Sequence, residues 1–527
     1  MVRTAALALA FLALTAGEAQ ARNFQVVVVP ELTLADLPEL EDRGAIGLLV
    51  PGAGPETSEE LARAGLERGE ARNSLRGGTP PGARLLQART GALGSVDPPA
   101  VYVGLPQGGR QANDRRYPIL VVGRGYEGLL TSDSTRIPGL VSIVDVAPTA
   151  LGAEGALGWQ PEGDAAAELD ALDQRIDANN STRLWAVLLA CALLVGLALA
   201  LPQAAVPAFA TLLLANLLLG LAGVSAAWLV LLVLALAVVA GGPLLASFRS
   251  LHVALGCGLA TVLAAYLLAL GLNGSAVALS PLGPTQNARF YGLSNLLETF
   301  LLVPALGAAA LLGGRLGRTA FAGVAVLAFV TVSGSSFGAD GGGAVVLAAG
   351  FVALALLAAP DRRRALVVAP LAAVAAVGLV LVADLAAGTS SHVTQAVEDG
   401  PGALAGDLRD RVLLSSERIT SDWYVALAVS VLFVAFVLLV ARTLSRQGFA
   451  DEVALPLALA AAVAASLVVN DSPLDVLLVG AVAYLAADRG MLPARWPGRS
   501  RSRWSPLPSS WSRDAAAARP PRPSRRP

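Results

Sequence analysis

Three carboxylates stand where an apolar sequence would place them only at a cost. Glu298 lies one turn inside a long apolar run. Asp340 closes the polar stretch 333–340 (SGSSFGAD), just before Gly341, Gly342 and Gly343. Asp471 belongs to the tight segment 470–473 (NDSP) between two apolar runs. Ionisable groups in such runs ordinarily face a cavity or a partner, which makes these three the candidate acids or bases. Other residues near them suit an anionic ligand. Arg289, in 289–295 (RFYGLSN), has the planar fork that clamps a phosphate or carboxylate through two hydrogen bonds. Phe290 and Tyr291 offer faces for a sugar or ring, and Asn295 and Asn470 offer carboxamides. Gly341 and Gly342 open a helix, where bare N–H groups and the positive end of the helix dipole attract an anion. His392, after Ser391, completes the substrate-binding candidates. Each also has a structural reading. Asp340, and Asp471 or Ser472 before Pro473, are good helix caps. Glu298 can snorkel or pair with Arg289, and His392 suits an exposed loop.

The elements that must position these residues are membrane spans. Hydrophobic residues make up 55% of the chain, charged residues 15%, and the mean hydropathy is +0.63. A single soluble globule carries about 25% charged residues, so it is excluded. Disorder, which needs low hydrophobicity and high net charge, is excluded too. Apolar runs at about 184–201, 204–222, 224–241, 252–272, 294–312, 319–333, 342–359, 365–383, 423–441, 453–469 and 474–488 predict a polytopic all-α domain of about eleven helices over 183–489. The runs at 319–333 and 474–488 are short.

Charge sets the sidedness. The basic residues are all arginines, 38 in number. With an exported N-terminal domain, one set of loops holds Arg249, Arg315, Arg318, Arg362, Arg363, Arg364, Arg442 and Arg446. The Arg-, Pro- and Ser-rich tail 490–527, predicted to be disordered, extends the same side. The opposite loops hold Arg289, Arg409, Arg411 and Arg418. The positive-inside rule predicts a cytoplasmic tail, an odd number of spans and an outward N-terminal domain, and it turns the candidate residues outward. The lack of lysine removes Schiff-base and lysine general-base chemistry and the lysine-bearing nucleotide loop. The net charge of -1 gives no sign of nucleic-acid binding. Cys191 and Cys257 fall in apolar runs and read as buried small hydrophobes.

The N-terminal third has a different texture. Arg3, an apolar run and Ala19-Gln20-Ala21 describe a signal peptide over 1–21. Residues 22–163 read as an exported α/β domain, with strands expected near 24–29, 44–50, 101–105 and 117–123. A helix is expected over 57–72, with Thr57 and Glu60 spaced as a capping box. Alternating strands and helices predict a mainly parallel sheet. Residues 22–182 hold 22 acidic residues against 14 arginines. A polar linker helix is expected over 164–182.

Residues 24–37 (FQVVVVPELTLADL) and 43–49 (RGAIGLL) resemble the opening of alkaline-phosphatase-superfamily domains, and 138–151 (PGLVSIVDVAPTAL), with 131–136 (TSDSTR), is similar to a segment near the end of that fold. The resemblance implies an alkaline-phosphatase-like fold. That family places an Asp metal ligand directly after the first strand, where Pro30 and Glu31 stand here, and its metal sites need His and Asp clusters. Residues 22–182 contain no His. The domain therefore reads as a degenerate, metal-free relative without a cofactor. Asp145 is expected to hold a turn or helix start, with Glu31 or Asp36 the alternatives for a lone cation. The segments RFYG-x-x-N (289–295), GAD-x-GG (338–343), Ser391-His392 and Asn470–Ser472 further resemble a group of bacterial multi-pass membrane proteins of unknown function that carry such an exported domain.

Three readings of function stay open. The first is a plasma-membrane envelope protein that recognises or transports an anionic, lipid-linked glycan or phosphate compound at the outer face, with a non-catalytic exported domain. The second is a membrane-embedded glycosyl or phosphoryl transferase using Glu298, Asp340 or Asp471 as base. The third is a structural or sensory envelope protein. The expected partners are the bilayer and a lipid-linked envelope precursor or another envelope protein.

Overall fold

The computed structural model describes residues 24–71, 73–76, 82–123, 125–153, 156–248, 252–284, 290–359, 361–386, 401–447 and 453–490. The signal peptide expected at 1–21, the tail 491–527, Arg289 and His392 lie outside them.

The N-terminal region is a mixed α/β sheet. Its strands are β1 (Gln25–Val28), β2 (Ala45–Val50), β3 (Glu56–Thr57), β4 (Arg89–Thr90), β5 (Ala100–Val103), β6 (Gln111–Ala112), β7 (Tyr117–Val122), β8 (Gly128–Ser132), β9 (Leu140–Ser142) and β10 (Leu157–Gln160). The main sheet runs β10-β8-β2-β7-β5-β1-β4, with β9 also on β2. The expectation of a mainly parallel sheet holds in part: β1 is parallel to β4 and β5, and β2 to β8 and β9. β7 is antiparallel to both its neighbours, β2 and β5, and β10 is antiparallel to β8. The cause is local: residues 104–116 between β5 and β7 contain no helix to carry a parallel crossover.

Side-chain alternation builds the two faces. Val27, Ile46, Leu48, Tyr102 and Leu120 pack on one side, and Val26, Val28, Leu49, Val101 and Ile119 on the other. β2 is buried along its whole length, as befits a central strand. The second face is covered by helix Glu59–Arg68. Its cap is Ser58, whose Oγ accepts from Leu61 N at 3.3 Å. The expected Thr57/Glu60 box fails because Thr57 is held extended in β3 against Gln111. The first face is covered by Ala165, Leu169 and Ile176 of helix Ala165–Ala200.

That helix joins the two regions. The expected linker and first span are one unbroken 36-residue helix, about 54 Å long at 1.5 Å per residue. A hydrocarbon core of about 30 Å accounts for the apolar half, and the polar half docks on the sheet. Among the described residues, seven helices are long and apolar enough to cross a membrane: Ala165–Ala200, Pro202–Leu221, Ala227–Ala246, His252–Leu272, Asn295–Leu316, Gly341–Ala358 and Trp423–Arg446. Helices Arg318–Ser333 and Ala454–Val469 are apolar but shorter, at 16 residues each. Helices Arg362–Ala386 and Pro473–Gly490 occupy two further predicted runs. Asn295–Leu316 is the axis of the bundle, its apolar window buried throughout. Cys191 is buried as expected, whereas Cys257 faces outward from its helix.

Backbone carbonyls at one end of the bundle receive the α/β region. Arg175 Nη2 donates to Gly220 O at 2.6 Å, Asn179 Nδ2 to Leu279 O at 2.7 Å, and Arg136 Nη1 to Ser335 O at 2.7 Å.

Candidate functional site

Three of the polar segments singled out in sequence, at 290–295, 338–343 and 470–473, meet at this domain-proximal end. Gly292, at φ +70°, lets the chain pass so close to Gly338 that an added Cβ would collide with the Gly338 carbonyl, and Leu293 N donates to Gly338 O at 3.0 Å. The segments 290–295 and 338–343 thus dock backbone to backbone. Ser294 caps the central helix through Leu297 N, and one turn later Glu298 points into the bundle, 1% exposed.

Asn470 meets it there. Its Nδ2 donates to Glu298 Oε2 at 3.2 Å and to Ser466 Oγ at 2.8 Å, and its backbone carbonyl accepts from Ser415 Oγ at 2.7 Å. Asn470 Oδ1 is buried without a hydrogen-bond partner among the described residues. Asp340 lies across Gly342 from it. Asp340 Oδ1 caps helix Gly341–Ala358 through Gly343 N at 3.1 Å, and its Oδ2 is buried without a partner among the described residues. A Cβ on Gly342 would lie 2.6 Å from Asn470 Oδ1, 3.4 Å from Asp340 Oδ1 and 3.6 Å from Arg411 Nη1. The missing side chain therefore lets two acceptor side chains and a guanidinium close in on the start of the helix. Burying polar atoms is costly unless they are satisfied, and Asn470 Oδ1 and Asp340 Oδ2 are two such acceptors.

The second group adjoins the first. Asn295 Nδ2 donates to Asp471 Oδ1 at 3.0 Å, and Arg418 reaches both Asp471 Oδ2, at 3.2 Å, and Ser472 Oγ, at 3.0 Å. Asp471, read also as a cap, instead joins the central helix to helix Pro401–Thr420. Arg183 and Asp475 attract each other at the same end, and Arg418 also acts on Asp475. Arginine and carboxylate alternate through this cluster, and neutral donors and acceptors fill the spaces.

The structure thus brings together Glu298, Asp340, Asn470, Asn295, Asp471, Gly342 and the start of the Gly341 helix. It removes Phe290 from the set. Phe290 is buried against Ala278, Leu279 and the sheet face, where its apolar ring completes the domain-to-bundle core. Tyr291 is half-buried with one ring face taken, the Arg136 guanidinium lying 4.4 Å from the ring centre. Arg411, Arg418, Ser415, Arg183 and Asp475 were not among the sequence candidates. Arg411 and Arg418 did stand out, as basic residues in loops where the charge rule puts few. Asp475, in the first turn of an apolar helix, carries a signal like the one that marked Glu298.

The α/β region has its own buried carboxylate. Asp145 accepts from Ser132 Oγ, and from Ser134 Oγ at 2.6 Å, and so holds the turn after β8, as expected. Burial pushes its carboxyl above the usual range, against the pull of those two hydroxyls. Asp36 is tied to Thr33, whose N and Oγ1 both donate to Oδ2. Among the described residues no group of three or more His, Cys, Asp or Glu is arranged to hold a metal.

Comparison with protein-family models, with curated proteins and with solved structures returns no match for this chain.

Proposed function

We propose that this chain is an eleven-span plasma-membrane protein that recognises or moves an anionic, lipid-linked glycan or phosphate compound at the outer face. In this reading the α/β domain lies outside, as a non-catalytic relative of the alkaline-phosphatase superfamily, and the tail lies in the cytoplasm. Sidedness follows from the arginine distribution. The observation that carries the functional reading is the convergence at Gly342. Asp340, Asn470 and Arg411 meet around Gly342 at a helix N-terminus, and Asp340 Oδ2 and Asn470 Oδ1 are buried acceptors. Guanidinium and helix N–H groups suit a phosphate or carboxylate, and the two acceptors suit hydroxyl groups on the same ligand. Bacterial multi-pass proteins with the RFYG-x-x-N, GAD-x-GG and Asn-Asp-Ser segments are the relatives this reading implies.

The test uses purified full-length protein and a radiolabelled polyprenyl-diphosphate-linked sugar. Saturable binding that is lost in Arg411→Ala and Asp340→Asn, with no turnover, supports recognition or transport. Turnover that is lost in Glu298→Gln or Asp471→Asn supports a transferase instead. Absence of binding by the parent protein removes both and leaves a structural or sensory role. A C-terminal reporter found outside the cell would overturn the sidedness.

A further inference from the structure

At the far end of helix Gly341–Ala358 from Asp340, three helices part to form a crevice. Arg318–Ser333, Gly341–Ala358 and Arg362–Ala386 enclose about 310 Å³ there. Its interior is apolar. Phe321 and Phe329 both pack on Phe351, with ring centres 5.7 and 6.0 Å apart, and alanines from all three helices line the rest. Its mouth is charged. Arg318 and Arg364 lie on the rim with Asp361, and both arginines are exposed. Asp361 is partly occupied, since its Oδ1 caps the next helix through Arg364 N at 3.1 Å.

We infer that this crevice is a binding site for an anionic phospholipid, with an acyl chain between the three helices and the phosphate on Arg318 and Arg364. Three observations agree on that occupant. An apolar slot suits an acyl chain, and the paired guanidinium groups at its mouth suit a phosphodiester. The third is length. Helix Arg318–Ser333 has 16 residues, about 24 Å at 1.5 Å per residue, which is short of a hydrocarbon core of about 30 Å. The bilayer must thin around it or the headgroup must sink, and either brings the phosphate down to Arg318. A zwitterionic lipid would fill the slot as well, but its ammonium group would offset the attraction at the rim.

Native mass spectrometry of the full-length protein tests this, in detergent with phosphatidylglycerol or phosphatidylcholine of identical chains. Each arginine near a lipid surface is worth about fivefold in affinity. Parent protein is therefore expected to retain phosphatidylglycerol at least about tenfold better than phosphatidylcholine. Arg318→Gln and Arg364→Gln should each lose about fivefold of that preference, and the pair nearly all of it. Ala355→Phe fills the slot without touching charge and should reduce retention of both lipids. Equal retention of the two lipids by the parent protein would overturn the inference. So would an undiminished preference in both Arg318→Gln and Arg364→Gln, or unchanged retention in Ala355→Phe. Because the arginines are exposed, the glutamine variants should keep the parent melting temperature in lipid-free detergent.

Discussion

Asn470 and Glu298 are 172 residues apart in the chain and share a 3.2 Å hydrogen bond, from Asn470 Nδ2 to Glu298 Oε2, at a point where neither is more than 1% exposed. A buried carboxylate is costly unless it is hydrogen-bonded, and the Asn470 carboxamide is one of the donors placed for it. The same carboxamide holds Ser466 and borders Gly342, so three helices meet on one side chain.

The bond should be measurable as a coupling. Glu298→Ala and Asn470→Ala, made singly and together, should fail to add by about 0.5 to 1.7 kcal/mol, the span of interhelical hydrogen bonds measured in membrane proteins. Unfolding of the purified protein in detergent reads this out. Full additivity would mean that the contact contributes nothing to the fold.

Gly342 should resist the commonest stabilising change. Alanine is favoured over glycine inside a helix by about 1 kcal/mol. Gly196, in helix Ala165–Ala200 with open space around it, should follow that rule and gain stability as Gly196→Ala. Gly342→Ala should lose it, because the new methyl would lie 2.6 Å from Asn470 Oδ1. Asn470 cannot swing away without breaking its bonds to Glu298 and Ser466. Melting temperatures of the two variants should therefore move in opposite directions.

How much of this was legible in sequence follows from what each signal depends on. A carboxylate in an apolar run advertises its own cost, and Glu298, Asp340 and Asp471 were found that way. Their convergence was expected from the common end of the spans, and Asn295, Asn470 and Gly342 came with it. Phe290 failed because an aromatic beside arginine and tyrosine looks the same whether it faces a ligand or a core. Only the docking of the α/β region on Leu279 decides the matter. Arg411 and Arg418 were counted as exceptions to a charge rule, since nothing local shows that helix Pro401–Thr420 lies against the ends of two others. The antiparallel strands within the sheet escaped notice for a related reason. The direction of β7 depends on the absence of a helix in 104–116, and apolar strand patterns do not record direction.

Arg116 is a buried charge at the junction. Its side chain is 1% exposed and bonds Asp173 Oδ1 and Asp177 Oδ1, each at 2.6 Å. Both aspartates lie on helix Ala165–Ala200, so the pair fastens sheet to helix. Asp173 is the more enclosed, at 20% against 60% for Asp177. Removing a partner from a buried guanidinium costs on the order of 3 kcal/mol, whereas an exposed ion pair contributes about 1 kcal/mol or less. Asp173→Ala should therefore lower the stability of the α/β region by more than Asp177→Ala. Limited proteolysis of the full-length protein, scored for cleavage within 24–163, gives the order.

Asp145 gives the α/β region a pH dependence of known sign. Burial raises its carboxyl above the ordinary value near 4, and the two serine hydroxyls only partly oppose this. The folded protein therefore holds this proton more tightly than the unfolded chain does. The stability due to that proton is fully present below the ordinary carboxyl value and is lost as pH rises through the raised one. One group can change stability by at most about 1.4 kcal/mol per pH unit over that window. Asp145→Asn cannot ionise, keeps an acceptor for the serine hydroxyls, and should flatten this component. Denaturant unfolding of parent and variant from pH 4 upward tests it. The two curves should diverge as pH rises, with the variant losing less. Parallel curves would show that Asp145 holds the same proton affinity in both states, contrary to its burial.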